Sequence, residues 1–328
     1  MDVLWLTIDL IHEEPGDTMR KSLSVVPLIG AATVIAGGWL LAPRSQAAPT
    51  VVRTPAAVRW VPERVVEGTA LSIIVEGGDP AVSRATGRFA GEPLHFLPAG
   101  DGSGLSALAA APLDSAGARL LMVELSYVDG SVETRRVEVP VAAGDYRLER
   151  LSVAPRFGDP QPTAIQQRID EEAARARAVS RQSHHTPRMW EAPLIAPRES
   201  RVTSGFGHGR TFNGQVQSRH TGTDFAGAVG APVRAPARGR AAIADDFYLG
   251  GGVIYLDHGA GLVTAYLHLS EKAVAEGDVV EAGQVIGRVG ATGRVTGPHL
   301  HWIVRYGGHS IDGRSLLDVA GARPPAAR

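Results

Sequence analysis

Short runs of apolar and alternating residues fill the chain between residues 49 and 154 and are separated by turn residues. The clearest runs are Ala70–Val75, Leu120–Val128 and Val132–Val141. Runs of this length with a period of two are typical of β-strands, and the Asp129-Gly130 pair between the last two is a hairpin signal. The pattern predicts a β-sandwich of immunoglobulin-like size as an accessory domain over 49–154.

The pattern changes to a helical period in the connecting segment 155–200. Thr163 and Gln166 fit a capping box, in which two side chains satisfy backbone N–H groups at a helix start. Apolar side chains then recur three or four residues apart, at Ile165, Ile169, Ala173 and Ala176. The spacing predicts one helix, ending near Arg181, whose apolar stripe packs on a neighbouring domain. The His184-His185 pair follows in a polar tail and is predicted to be exposed.

The last part of the chain is rich in glycine and again β-like. Val253–Leu256 and Leu262–Leu267 flank a glycine-rich turn, and two shorter apolar runs surround Glu281-Ala282-Gly283. Together they predict an antiparallel sheet of at least six strands over 201–318, followed by a disordered tail over 319–328. The chain is therefore predicted to be mainly β, with one connecting helix.

Residues 1–48 have the character of an export signal or a membrane anchor. Met19, a candidate for the true initiator, opens a positively charged start, and the run from Leu23 to Ala42 has no charge. Small residues before Ala48 suit a signal peptidase. Because the run is close to the roughly 20 residues that span a bilayer, cleavage and retention as an anchor both stay open. In either case the remaining chain is expected to be periplasmic or extracellular.

Composition excludes several kinds of chemistry. The chain has 328 residues, no cysteine and a formal net charge of -1. Without cysteine there are no disulfides, thiol nucleophiles or thiolate metal ligands, so a metal site must use histidine and carboxylate ligands. A nearly neutral chain has no global field that attracts nucleic acid, and no nucleic-acid partner is expected.

Histidines and a carboxylate concentrate in the glycine-rich part of the chain. His299 and His301 lie two apart and would share one face of a strand. His220 and Asp224 are four apart, and His268 ends an apolar run. Three nitrogen or oxygen ligands with an open fourth position are how a catalytic zinc ion is held. The residues therefore predict such a site, although alternation alone leaves open which of His299 and His301 binds the metal.

Three histidine signatures follow one another along this region. They are His220-x-x-x-Asp224, the His268 of Tyr266-Leu267-His268-Leu269-Ser270, and Gly297-Pro298-His299-Leu300-His301-Trp302. Further segments lie around them, at Thr203–Gly207, Gly230–Val233, Asp257–Gly259, Gly277–Val280 and Gly283–Gly287. Over about residues 201–317 the chain resembles the lysostaphin/LytM-type peptidoglycan metalloendopeptidases, with every signature in the family's order.

The resemblance implies an antiparallel β metallopeptidase domain that binds one Zn²⁺ per chain. By position, it makes His220, Asp224 and His301 the metal ligands. It places His268 and His299 beside the reacting water as catalytic residues.

The same resemblance places Arg210 and Asn213 near the cleft, where they would order the substrate or support the metal loop. Arg210, Asn213 and Tyr266 are the candidate substrate-binding residues. The implied reaction is hydrolysis of peptide bonds in peptidoglycan cross-links or stem peptides by attack of a metal-activated water. Glycine bridges and diaminopimelate-type cross-links both stay open as the bond that is cut, and the accessory domain favours the second.

Two other functions compete with this interpretation. A non-catalytic LytM-like protein that activates a cell-wall amidase would use the same fold, but such relatives usually lack some metal ligands and this chain lacks none. A biotinyl or lipoyl carrier needs a modified lysine at a hairpin tip, and Lys272 is not placed there. The sequence therefore favours a zinc endopeptidase.

Overall fold

The computed structural model describes residues 54–100, 102–157, 161–191, 193–214 and 216–321. These residues belong to one packed unit. The predicted export segment and the start of the accessory domain, residues 49–53, lie outside the described residues. Neither α-helix within the described ranges combines the length and the apolar character that crossing a bilayer requires.

The accessory region forms two sheets. Its described strands are β1 (Ala57–Val61), β2 (Val65–Val66), β3 (Ala70–Glu76), β4 (Val82–Phe89), β5 (Glu92–Leu94), β6 (Leu97–Pro98), β7 (Gly104–Ala110), β8 (Gly117–Tyr127), β9 (Val132–Ala142) and β10 (Leu148–Leu151). One sheet has the order β1-β3-β7-β6 and the other β2-β9-β8-β4-β5, while β10 joins a different sheet. The expected hairpin is β8–β9, in which Ser126 pairs with Val132.

Alternation explains why these two sheets pack together. Along β8, Leu121, Val123 and Leu125 are fully buried while the residues between them face outward. They share one core with Ile73 and Val75 of β3 in the other sheet. Each Å² of apolar surface that is removed from water stabilises this arrangement by about 25 cal/mol. The mainly β prediction is confirmed here, and an immunoglobulin-like topology stays a prediction.

The predicted connecting helix is present as α1 (Thr163–Gln182), after a 3₁₀ turn at Pro155–Phe157. The predicted capping box is wrong, because the N-cap residue is Pro162 and no side chain caps the helix. The side chain of Gln166 instead donates to Asp170, 2.9 Å away and one turn further on. Proline fits this position because it has no N–H to satisfy and its φ is already suitable.

The apolar stripe of α1 packs on the C-terminal region, as its spacing predicted. Ala176 is buried against Ile243, Val253 and Tyr255. On the exposed side of the helix, Arg175 pairs with acidic groups of the same region at 2.6 and 2.7 Å. The helix therefore covers the face of the C-terminal sheet that carries these three side chains.

The C-terminal region is built on one large sheet. Its described strands are β11 (Val202–Ser204), β12 (Gly209–Phe212), β13 (Val216–Arg219), β14 (Thr223–Ala226), β15 (Pro232–Arg234), β16 (Gly239–Phe247), β17 (Gly251–Gly259), β18 (Leu262–Lys272), β19 (Val279–Val280), β20 (Val285–Val289), β21 (His299–Tyr306) and β22 (His309–Ile311). Within the described residues ten of these strands form the main sheet, along the path β11-β14-β21-β18-β17-β16-β19. This confirms the predicted sheet of at least six strands.

A smaller sheet lies beside the main one and joins the two regions of the chain. Its order is β10-β12-β13, with β10 parallel to β12. Glu149 of β10 pairs with Arg210 of β12, although 60 residues lie between them. The accessory region thereby contributes a strand to the neighbourhood of the predicted site.

A second helix, α2 (Gly313–Gly321), was not predicted. Asp312 caps it, since its Oδ1 accepts the N–H of Arg314 at 3.0 Å. Leu316 is buried in the core of the C-terminal region. The expectation of a disordered tail is wrong for residues 319–321, which complete this helix, while 322–328 lie outside the described residues. Nine residues are too few for a clear helical period in the sequence.

The accessory and C-terminal regions are joined by hydrogen bonds. The Ala70 N–H donates to Ser315 Oγ at 2.8 Å, and the Asp312 N–H donates to the Gly68 carbonyl at 2.7 Å. Tyr306 Oη donates to the Pro93 carbonyl at 2.6 Å. The accessory region is therefore docked on the C-terminal region.

The prediction that His184 is exposed is wrong, whereas His185 is exposed as expected. The His184 side chain lies 2.9 Å from both Glu92 Oε2 and His95 Nε2, at the junction with the accessory region. The 3₁₀ turn Ser183–His185 at the end of α1 packs against β18 and carries His184 into this junction.

Candidate metal centre

Three side-chain atoms converge at one point of the main sheet. His220 Nε2 lies 3.0 Å from Asp224 Oδ1 and 3.0 Å from His301 Nδ1, and His301 Nδ1 lies 2.7 Å from Asp224 Oδ1. All three side chains are buried. Strand register produces this arrangement, because Asp224 of β14 pairs directly with His301 of β21.

Two further histidines face the same point. The ring centroid of His268 lies 4.9 Å from that of His299 and 5.8 Å from that of His301. His299 Nε2 lies 3.7 Å from Asp224 Oδ1. The structure thus brings together all five residues that the sequence proposed for metal binding and catalysis.

Backbone carbonyls fix which nitrogen most of these rings present. The Nδ1–H groups of His220, His268 and His299 donate to the carbonyls of Gly205, Thr292 and Gly297 at 2.6, 2.9 and 2.8 Å. A donating Nδ1 leaves Nε2 with a free lone pair in the neutral ring. Each of these three histidines therefore presents an acceptor Nε2 to the site.

His301 presents Nδ1 instead, and Gly222 makes room for its ring. A Cβ at Gly222 would lie 2.6 Å from the Trp302 carbonyl oxygen and 2.8 Å from His301 Cε1, both closer than contacts in proteins allow. Glycine is therefore required at the bend between His220 and Asp224.

His268 reaches the site through an unusual backbone conformation. Regular alternation along β18 places Leu267 opposite His301 and Tyr266 opposite Trp302, so His268 would follow Tyr266 into the core. The φ of His268 is +65°, a region that non-glycine residues rarely adopt. The left-handed conformation turns the imidazole into the cleft.

The protonation states of the site residues at neutral pH favour metal binding. Burial would raise the pKa of Asp224, but the close polar contacts of its carboxylate with His220 and His301 hold that pKa well below its usual range. Burial lowers the pKa of His301 to about 4 and, with the neighbouring histidines, that of His268 to about 3. The carboxylate is thus ionised and these rings are neutral, the forms that bind a metal ion.

The donor set fits a zinc ion. Two imidazole nitrogens and one carboxylate oxygen are a usual ligand set for catalytic zinc, and bonds of about 2.0–2.1 Å separate tetrahedral ligands by about 3.3 Å. The three observed separations of 2.7 to 3.0 Å are slightly below that value. His220, Asp224 and His301 can therefore hold a metal ion.

Comparison with known proteins agrees with this geometry. The family model of peptidase family M23 matches residues 218–313. This segment is a peptidase family M23 domain. The resemblance that the histidine signatures predicted is confirmed.

Two of the curated relatives illustrate the similarity. Peptidoglycan DD-endopeptidase ShyC of Vibrio cholerae is 40% identical over 117 residues, which are 35% of this chain and 27% of ShyC. DD-carboxypeptidase/endopeptidase Mpg of Neisseria meningitidis is 40% identical over 113 residues, which are 34% of this chain and 26% of Mpg. The chain thus spans about a quarter of the length of these relatives.

One solved structure resembles more than the M23 domain. It is a crystal structure from Pseudomonas aeruginosa that is named as a candidate M23 peptidase, with a TM-score of 0.59 and 25% sequence identity. The match covers 78% of this chain and 96% of that chain. The shared architecture therefore extends beyond residues 218–313 into the segments before the M23 domain.

An ionic network outside the matched segment holds Asp224, one of the three residues that could bind a metal ion. Arg210 Nη2 donates to Asp224 Oδ2 at 2.6 Å, which leaves Oδ1 for the two histidines. Arg210 Nε donates to Glu149 Oε2 at 2.9 Å, while Ser204 and His208 contact Glu149 Oε1 at 2.7 and 3.0 Å. Burial would raise the pKa of Glu149, but these bonds lower it to about 2. Glu149 therefore stays ionised and balances Arg210.

The three predicted substrate-binding residues have different positions. Arg210 lines the cleft and is bound to Asp224. The prediction that Asn213 binds substrate in the cleft is wrong. Its side chain is instead hydrogen-bonded to the backbone N–H and carbonyl of Val153 at 2.9 and 3.2 Å. The prediction that Tyr266 binds substrate is also wrong, because Tyr266 is fully buried and its hydroxyl is hydrogen-bonded to Thr264 Oγ1. Alternation along β18 turns Tyr266 into the core.

The candidate metal centre lies in a cleft of about 790 Å³. Leu249, Leu267 and Thr296 are among the side chains that form its walls, and β10 supplies Glu149 and Leu151. Sequence reasoning missed Glu149 because it lies in the predicted accessory domain. The sequence pattern around Glu149 does not show that its strand pairs with another strand 60 residues later. An open cleft with the histidines among its lining residues leaves room for an extended peptide.

Replacing Glu149 by glutamine is expected to weaken zinc binding about 10-fold, the low end of the range for partners of metal ligands. The positive charge of Arg210 would then be uncompensated by Glu149. Arg210 would attract Asp224 more strongly and would repel the metal ion. Competition with a chelating dye on the full chain measures the affinity, with Glu138→Gln, an exposed acid of β9, as the matched control. Equal affinities for the two variants would show that Arg210 and Asp224 are positioned without Glu149.

Proposed function

We propose that this protein is an exported zinc-dependent endopeptidase that hydrolyses peptide bonds in peptidoglycan cross-links or stem peptides. The observation that carries the proposal is the convergence of His220, Asp224 and His301 beside His268 and His299 in one open cleft. The relatives named as peptidoglycan endopeptidases support it. Their DD-endopeptidase names favour cross-links between stem peptides over glycine bridges.

The ligand roles follow from the donor atoms. When bound, a zinc ion lowers the pKa of a water molecule toward neutrality and polarises a carbonyl group. We assign one zinc ion per chain to His220, Asp224 and His301. Arg210 holds the second carboxylate oxygen of Asp224, so the ligand keeps one orientation while the substrate binds.

His268 and His299 would do the proton chemistry. Each has its Nδ1–H committed to a backbone carbonyl, so Nε2 can accept a proton from the attacking water. The resulting imidazolium can return that proton to the leaving amine or donate a hydrogen bond to the developing oxyanion.

Export and domain organisation are part of the same proposal. The charged start at Met19 and the apolar run before Ala48 support delivery to the periplasm or beyond. We further propose an accessory domain over 49–154, with an immunoglobulin-like sandwich, a connector over 155–200 and a catalytic domain over 201–318. A periplasmic location would place the chain beside its substrate.

Digestion of purified peptidoglycan sacculi tests the function. The zinc-loaded full chain should release fragments in which mass spectrometry shows cross-linked peptides converted to uncross-linked ones. Asp224→Asn should release none above background. If the zinc-loaded wild type releases no peptide-cleaved product, the proposal fails. Release that requires an added amidase, with cleavage between sugar and peptide, would support the amidase-activator alternative instead.

A further inference from the structure

Arg294 is a half-buried cation of the cleft that has no anionic partner among the described residues. Its Cζ lies 4.0 Å from the centroid of the Phe212 ring, so the guanidinium is stacked on that ring. Across the part of the chain that the structure describes, no carboxylate is hydrogen-bonded or ion-paired to it. Arg210, beside it in the cleft, is by contrast bound to Glu149 and Asp224. Of these two neighbouring arginines, only Arg210 is therefore ion-paired within the described residues.

A half-buried guanidinium without an anionic partner loses part of its hydration without a compensating ion pair. Burial, and then the neighbouring charge of Arg210, lower the pKa of Arg294. The cation–π contact with Phe212 offsets only part of the desolvation of the guanidinium. A carboxylate bound at this position would remove the imbalance.

The backbone around Arg294 is tied to the catalytic histidines. Its N–H donates to the Leu249 carbonyl at 2.9 Å. The loop that carries it, between β20 and β21, also supplies the carbonyls that hold His268 and His299. Arg294 is therefore held beside the proposed reaction centre before any substrate binds, which limits the entropy lost on binding.

The charge of the cleft favours an anionic ligand. The arginines that line it are Arg150, Arg201, Arg210, Arg219 and Arg294. The acidic residues that line it are Glu149 and Asp224, and both are already engaged by Arg210. The cleft thus has an excess of positive charge although the whole chain has a net charge of -1. Such a local excess concentrates anions at the cleft.

We propose that Arg294 is a substrate-binding residue that pairs with a free carboxylate of the peptide substrate. The planar guanidinium matches a carboxylate with two parallel hydrogen bonds, and its contact with the Phe212 ring holds it in the cleft. The inference rests on the proposed function, because it assumes that the cleft binds peptides. It adds a specificity to that function: peptides whose carboxylates are amidated are poor substrates.

Two synthetic substrates test this pairing with the zinc-loaded full chain. One is a cross-linked stem-peptide dimer with free carboxylates, and the other is the same dimer with every carboxylate converted to a primary amide. Amidation should raise the KM of the wild type about 10- to 100-fold, the usual effect of losing a charge-assisted hydrogen bond. Arg294→Gln should raise the KM for the free-carboxylate dimer by a similar factor, and amidation should then cost nothing further.

Matched variants separate recognition from folding. Arg294→Lys keeps the charge but not the fork. Its KM for the free-carboxylate dimer should lie between those of the wild type and Arg294→Gln. Arg136→Gln, an exposed arginine of β9, should behave as the wild type does. All variants should keep one zinc ion per chain. Equal KM values of the wild type for both dimers, or an unchanged amidation effect in Arg294→Gln, would overturn the inference.

The inference and the proposed function can fail separately. Cleavage of both dimers with equal KM would leave the endopeptidase standing and remove the role of Arg294. If neither dimer is cleaved, calorimetry of each dimer with the zinc-free full chain decides the inference alone. Binding of the free-carboxylate dimer that is about 10-fold tighter in the wild type than in Arg294→Gln would support it, and equal binding would overturn it.

Discussion

Replacing His268 or His299 by alanine should slow peptide cleavage about 10²- to 10⁴-fold while the chain keeps its zinc, as expected for general acid–base residues. Both imidazoles present a free Nε2 to the cleft because their Nδ1–H groups are donated to backbone carbonyls. Neither belongs to the three donor atoms that converge. Their removal should therefore affect proton transfer and leave metal binding intact.

Turnover of the cross-linked dimer and zinc content, measured on the same preparations, check this split. His185→Ala, which removes an exposed histidine at the end of the connecting helix, is the matched control and should keep wild-type values for both. Full activity in either His268→Ala or His299→Ala would show that proton transfer uses another group. Loss of zinc in His268→Ala would make that residue part of the metal site.

Replacing Asp224 by asparagine should abolish stable zinc binding and, with it, activity. The amide keeps the shape of the side chain but removes the negative charge that two histidines and Arg210 surround. Loss of an outer partner of a metal ligand typically costs 10- to 100-fold in affinity. Loss of a charged ligand from a buried site should cost more than that.

Competition with a chelating dye gives the zinc affinity of Asp224→Asn relative to wild type. Asp318→Asn, an exposed aspartate on α2, serves as the matched control and should bind as the wild type does. A decrease smaller than that caused by Glu149→Gln would contradict the ligand role of Asp224. Thermal melts of the zinc-free chains would show whether the substitution alters folding.

Much of the geometry of the candidate metal site could be predicted from sequence because its residues lie on regular strands. His299 and His301 share a face of β21 by alternation, and antiparallel pairing with β14 places Asp224 opposite His301. The choice between the two histidines needed the family resemblance, since alternation treats them alike. The structure distinguishes them, because His301 Nδ1 lies 2.7 Å from Asp224 Oδ1 and His299 Nε2 lies 3.7 Å away.

The errors arose where local pattern and long-range packing differ. Tyr266 and His268 are two residues apart, so a regular strand would place both on one face. The positive φ of His268 separates them, and no periodicity in the sequence reports a left-handed residue. The capping box failed for a related reason, because Pro162 starts the helix and Thr163 is already inside it.

Glu149 and Arg294 were missed for a different reason. Glu149 reaches the cleft through parallel pairing of β10 with β12, a contact across 60 residues of sequence. Arg294 is one of many arginines. It is distinguished by its packing on Phe212 and by the lack of an acidic partner within the part of the chain that the structure describes. A consequence is that a fragment beginning at residue 201 would lack Glu149, so the full chain is the proper material for metal measurements.

The most direct measurement of the central claim is the zinc content of His301→Ala and His299→Ala, determined side by side after dialysis against trace zinc. The two residues lie on the same strand, two positions apart, so the substitutions are closely matched. We expect His299→Ala to retain about one zinc ion per chain, as the three-ligand site requires, and His301→Ala to retain almost none. Retention by His301→Ala together with loss by His299→Ala would contradict the ligand assignment.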